Sequence, residues 1–189
     1  MKLIEHQTIT SKDVGQNTLE IAQYEICTFK NIDFQGTSFS KVTFVECEFI
    51  DCDLSMVSLI GTMLQEVKFT RCKMLGLFFE TVKSFLFRVS FDQCNLESAS
   101  FAGVNMEKTN FNACKMVGVD FTQTNLSAAI LNGCSLQNAN FNRTILFKTD
   151  LRTAQYFSID TKENKVNKAI VSPDNLEGFL RNAGLDIRN

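Results

Sequence analysis

Seven cysteines, one histidine and a cluster of acids are the side chains of this 189-residue chain with types suited to nucleophilic, metal-binding or acid–base chemistry. The cysteines are Cys27, Cys47, Cys52, Cys72, Cys94, Cys114 and Cys134. A structural zinc site draws thiolates and imidazoles in close pairs such as Cys-x-x-Cys. No such pair occurs and His6 stands far from every cysteine, so neither a metal nor a cofactor is expected. Glu46, Glu48, Asp51 and Asp53 lie close enough for paired-carboxylate chemistry. Alternating acids on a turn-rich stretch are more simply a solvated face. The chain also lacks a Gly-rich phosphate loop, a His-Glu-x-x-His run and a nucleophile elbow. The expectation is a protein that is not an enzyme, with no catalytic residues.

The cysteine spacing points instead to architecture. Cys94, Cys114 and Cys134 are 20 residues apart, as are Cys52 and Cys72, while Cys72 and Cys94 are separated by 22. A second regularity runs through the same region. Every fifth residue from Phe29 to Phe79, and again from Leu86 to Leu151, is Leu, Phe or Met: 11 positions, a slip of two, then 14 more. Period five fits neither a helix (3.6) nor a flat strand (2.0). It fits a chain that turns a corner every five residues with one large apolar side chain inward per segment, a solenoid that buries its interior only by stacking coils. Two residues before each centre stands a small or β-branched residue, with Leu77 the largest, and all seven cysteines occupy that position. Four segments per coil explain the interval of 20 and put Cys52, Cys72, Cys94, Cys114 and Cys134 in one column, with Cys27 and Cys47 on the adjacent side. With coils spaced as neighbouring strands are, about seven of them make a rod on the order of 33 Å long. The cysteines then read as core filler; oxidation of a stacked pair is the alternative, disfavoured in a reducing compartment.

Residues 1–24 read as an N-terminal cap and first irregular coil, with Ile9 to Tyr24 as that coil. Residues 25–155 read as the repeat tube with its slip near 80–85, and 156–189 as a C-terminal tail. Ser172-Pro173-Asp174 is a helix start, with an N-cap serine, proline in the first turn and an acid near the positive end of the dipole. Leu176, Phe179 and Leu180 share one face, Gly184 stops the helix, and Leu185 and Ile187 follow as an extended stub. This tail covers the tube end within the chain or joins two copies. Around the slip, Phe78, Phe85 and Phe87 fall at outward positions, and Met63 stacks 22 residues before Phe85. The extra residues either bulge and fold these rings back, or leave a contact site. Met1 to Gln16 has no apolar run, so no signal peptide or membrane span is expected and the location is cytoplasmic.

The repeat small-x-(Leu/Phe)-x-x, clearest in Ala139-Asn140-Phe141, Thr124-Asn125-Leu126, Val119-Asp120-Phe121 and Thr149-Asp150-Leu151, resembles that of the pentapeptide-repeat proteins. The resemblance covers roughly residues 25 to 155. It implies a right-handed quadrilateral β-helix, here an all-β solenoid with a short C-terminal α-helix. Cys72-Lys73-Met74-Leu75-Gly76 resembles a segment of the mycobacterial gyrase-protecting members, and Ser172 to Ile187 resembles their dimerising tail. For this chain the resemblance implies a DNA-mimicking binder that protects DNA gyrase or topoisomerase IV from quinolones. It also implies a homodimer joined through Leu176, Phe179, Leu180, Leu185 and Ile187.

Charge argues against strong mimicry of DNA. From Glu25 to Arg152 there are 13 acids and 12 bases, a net of −1, whereas duplex DNA carries about one charge per 1.7 Å. Lys68, Arg71 and Lys73 follow the acidic cluster one coil later. Direct nucleic-acid binding is disfavoured too, since no basic stripe exists and the whole chain is −2. The competing expectation is a protein-interaction scaffold that binds through Met63, Phe85 and Phe87 or through Glu46, Glu48, Asp51 and Asp53.

Overall fold

A corner every five residues needs a backbone that turns sharply, and the computed structural model, which describes residues 1–15 and 18–180, contains one per segment. Two residues after the apolar centre φ becomes positive: 54° at Asn31, 68° at Gly36, 66° at Lys41 and 51° at Glu46, and so on to Lys148 at 58°. The series is broken only around the slip, where Phe79–Thr81 is a 3-10 turn and Arg88 lacks positive φ. At many corners the following amide donates to the carbonyl of the centre, as Thr37 does to Phe34 and Val104 to Phe101, both at 3.0 Å. A hydrogen-bonded turn with positive φ only at its third residue is type II, which favours glycine there. Gly36, Gly61, Gly76, Gly103, Gly118 and Gly133 all occupy that phase. These six of the nine glycines therefore mark corners.

Between corners the chain is extended for three or four residues. Strands β1 (Lys2–Glu5), β3 (Ala22–Glu25), β5 (Thr43–Val45) and β7 (Met63–Gln65) form a four-stranded sheet in that order. Strands β2 (Thr8–Thr10), β4 (Thr28–Lys30), β6 (Glu48–Ile50), β8 (Val67–Thr70), β9 (Val89–Asp92), β10 (Asn110–Asn112) and β11 (Ile130–Asn132) form a seven-stranded one. Every pairing is parallel. Partners are 20 residues apart (Phe29 with Phe49, Phe49 with Phe69), 22 across the slip (Phe69 with Phe91), then 20 again. The other two sides are held by single bridges, such as Asp53–Lys73–Asn95–Lys115–Ser135 and Phe78–Ser100–Asp120–Asn140. The molecule is a parallel β-solenoid, and among the described residues its one α-helix is the short α1 (Glu177–Leu180). Stacking begins at Lys2, ahead of Ile9, and runs past residue 155 through the bridges Ile145–Lys165 and Asp150–Ile170. Among the described residues no helix is long and apolar enough to cross a membrane.

The core follows the period. Of the 25 centres, 24 are buried. Phe29, Phe49, Phe69, Phe91 and Phe111 stack face to face at 4.6, 5.2, 5.4 and 5.1 Å. A second stack runs through Phe79, Phe101, Phe121 and Phe141. The small columns do more than fill space. Thr62, Thr124, Thr144 and Thr149 each donate a hydroxyl to the carbonyl 23 residues earlier at 2.7–2.8 Å. Buried carbonyls need such donors.

Candidate protein-interaction surface

The cysteines use the same geometry. All seven are free and buried, and the thiols of Cys47, Cys52, Cys72 and Cys134 donate to the carbonyl 23 residues back at 3.3–3.5 Å. Cys94 reaches Phe69 O, 25 back across the slip. Burial pushes the Cys47 thiol up to about 12. In the longer column Cys114 raises Cys94, Cys72 opposes it and burial reinforces it, again to about 12. Cys134 alone is lowered, by its bond with Cys114, but it is enclosed as fully as the rest. A thiolate is the reactive form, so burial and the raised thiols of most of this column disfavour reaction, and the sulfurs pack against carbonyls of the preceding coil. Among the described residues no group of three or more His, Cys, Asp or Glu is placed to hold a metal.

The acidic cluster is neutralised by the next coil. Glu48 pairs with Lys68 at 3.1 Å, Asp51 with Arg71 at 2.7 Å and Asp53 with Lys73 at 2.9 Å. Each pair stands 20 residues apart, so the solenoid itself brings the partners together. Arg71 holds Asp51 below the ordinary carboxylate range. Burial works against ionised Asp53, and hydrogen bonds from Ser55 and Lys73 outweigh it, leaving that carboxyl lowered too. Glu46 stands apart from these pairs, on an exposed corner above Glu66, which pairs with Arg88 at 3.2 Å. The side therefore offers alternating charge, not a continuous negative field.

The slip differs from both expectations. Lys83 N–H still bonds Thr62 O in the 20-residue register, while Val89 already pairs with Val67 in the 22-residue one. The two extra residues lie between them. Leu86, expected as an inward centre, is 63% exposed at φ 53°. Phe87, expected outward, turns half inward and packs on the core in its place. Phe85 stays outside at 67% exposed and Phe78 at 53%, while Met63 is half-buried. Phe87 and Glu46 line one shallow groove with Glu66, Leu86 and Arg88. The structure thus brings Glu46 and Phe87 together and leaves Glu48, Asp51 and Asp53 elsewhere. Sequence reasoning missed Leu86, and the signal was ambiguous: a seven-residue step from Phe79 to Leu86 leaves three bulky candidates, Phe85, Leu86 and Phe87, for one inward place.

The tail folds back on its own tube. Ser172 N–H donates to Asn175 Oδ1 at 3.1 Å, closing a 3-10 turn over Pro173–Asn175. Asn175 Nδ2 then donates to Leu151 O and Ala154 O, at 2.5 and 3.2 Å. Ile159 N–H bonds Gly178 O, and Phe179 meets Phe157 edge-on at 5.3 Å. A Cβ on Gly178 would sit 2.2 Å from the Phe157 ring, so glycine is required there for close approach. Leu180 is half-buried and Leu176 remains 45% exposed. Leu185 and Ile187 lie outside the described residues, as does Gly184.

The family model for the pentapeptide repeat region matches residues 22–83 and 84–170. The chain belongs to the pentapeptide-repeat family. No curated protein matches it. Two solved forms of trypsin-treated QnrB1, a plasmid-mediated fluoroquinolone resistance protein, share the fold at 17% identity. One gives a TM-score of 0.63 over 99% of this chain and 98% of that one; the other gives 0.61 over 100% and 99%. HetL, a pentapeptide-repeat protein involved in heterocyst differentiation regulation in Nostoc sp., is 16% identical, with a TM-score of 0.47 over 89% of this chain and 84% of its own. For a pentapeptide-repeat protein the division between the two matched stretches is notable: it falls at residues 83 and 84, inside the slip.

Proposed function

We propose that this pentapeptide-repeat protein is a non-enzymatic binding rod that engages another protein through its mid-tube slip, and that DNA gyrase or topoisomerase IV is the partner to test first. The observation that carries the reading is the exposure of Phe78, Phe85 and Leu86, each more than half exposed within the short stretch of chain at the slip, on a rod whose acidic cluster is neutralised by the next coil. Large exposed apolar side chains grouped on a soluble surface mark contact sites. The fit to QnrB1 along the whole of both chains supports choosing a type II topoisomerase. Paired acids mean that recognition runs on shape and apolar contact more than on phosphate-like charge. The protein is further proposed to act in the cytoplasm and to dimerise through the tail, where Leu176 is exposed.

The test is fluoroquinolone-inhibited supercoiling by purified gyrase. Added protein is expected to restore supercoiling, and Phe85→Ser to weaken the rescue while leaving thermal stability intact. No rescue at molar excess removes gyrase as the partner. The scaffold reading then stands or falls on recovery of a different protein that Phe85→Ser abolishes. Solution mass decides the dimer.

A further inference from the structure

The slip leaves the backbone ladder open on one side of the tube. On that side amides otherwise reach the carbonyl one coil back: Met63 to Val42 at 3.0 Å, Lys83 to Thr62 at 2.9 Å, Asn125 to Val104 at 3.1 Å and Ile145 to Thr124 at 2.9 Å. Among the described residues no backbone hydrogen bond joins residues 82–87 to 102–108, and the amide and carbonyl of Asn105 have no backbone partner. Where the rung is missing lies a pocket of about 230 Å³, lined by Val82, Ser84, Phe87, Gly103, Val104 and Asn105 among others. Val104 records the opening. Its column neighbours Thr62, Thr124 and Thr144 are fully buried, whereas Val104 is only half-covered.

We infer that this gap is a strand-docking slot, which takes an extended, uncharged segment of a partner polypeptide by pairing with the free edge at Asn105 and seating an apolar side chain against Val82, Phe87 and Val104. The inference rests on the protein-binding reading above and specifies its ligand. An unpaired strand edge asks for N–H and C=O groups at strand spacing, which an extended polypeptide supplies; side-chain pockets beside the edge then select alternate residues. The nearby Glu80 and Lys83 have opposite charge, so nothing there selects a phosphate backbone. Phe85 and Leu86 stand exposed on the same slip, available to the outward-facing side chains of the docked strand.

The test needs no knowledge of the natural partner. The probe is a blocked hexapeptide of alternating threonine and valine, titrated into the whole protein and followed by amide NMR. Saturable shifts at Gly103, Val104 and Asn105, with slowed amide exchange at Asn105, are expected. The same peptide methylated at alternate backbone nitrogens should bind about tenfold or more weakly, having lost its donors. Deleting Lys83 and Ser84 makes the pentad spacing continuous from Phe79 to Phe91, so this variant should fold, close the rung and lose the shifts. Absent shifts, shifts indifferent to methylation, or full binding by a folded deletion variant would each overturn the slot. Gyrase rescue without peptide binding would remove the slot and keep the partner. Peptide binding without rescue would keep the slot and remove gyrase.

Discussion

At the scale of single residues, the molecule turns reactive side chains into structural ones. A thiol aimed down a closed column, donating to a carbonyl one coil away, does what a threonine hydroxyl does elsewhere in the tube. The seven cysteines should therefore resist a thiol reagent at pH 8 in the native protein and all react once it is denatured. Rapid native labelling of Cys94 or Cys114 would contradict the packing. The phenylalanine stack makes a larger energetic claim. Phe91 lies between Phe69 and Phe111 and also meets Phe79 and Phe101 edge-on. Phe91→Ala should cost about 3–5 kcal/mol by denaturant unfolding, the usual range for emptying a buried aromatic site. Gly103→Ala tests the corner geometry separately. Nothing crowds a Cβ there, yet φ is +70°, so a loss of about 1–2 kcal/mol would come from backbone conformation alone.

At the scale of elements, coil-to-coil ladders and the docked tail set local stability. Asp51 and Asp150 are held low by the guanidinium groups of Arg71 and Arg152. A carboxylate depressed in the folded state stabilises above its unfolded value and loses that stabilisation as pH falls through the folded one. Thermal stability should then be flat from neutral pH down to about 5 and fall below about 4, in the ordinary carboxylate range. A fall already complete at higher pH would assign the loss to other groups. Gly178→Ala should lift the tail from Phe157, seen as faster amide exchange at Ile159, whose N–H bonds Gly178 O. Much of this level was legible in the sequence. The interval of 20 between cysteines fixed the coil, the step to 22 located the slip, and Ser172-Pro173-Asp174 announced the tail. What escaped was local competition. Phe85, Leu86 and Phe87 contend for one inward place, and the outcome depends on how the loop closes rather than on residue type. The open rung at Asn105 was hidden for the same reason, since a missing partner leaves no mark in the sequence of the strand that lacks it.

At the scale of the whole molecule, the rod has two halves of unequal regularity. Before the slip two adjacent sides carry true strands; after it one sheet continues and the other side is reduced to single bridges such as Asn105–Asn125 and Ile145–Lys165. The dense aromatic packing of the first half, from Tyr24 to Phe49, includes stacks and edge-on contacts across all four sides. Aliphatic and methionine centres take over more of the second half. Partner residues always one coil away have a mechanical result. If the rod is held by its two ends and pulled, each coil that peels off should release its four repeats together, about 65–70 Å at full extension, and leave the remainder folded. A force trace should read as a staircase rather than a single rip, with one taller riser where the two surplus residues are let out.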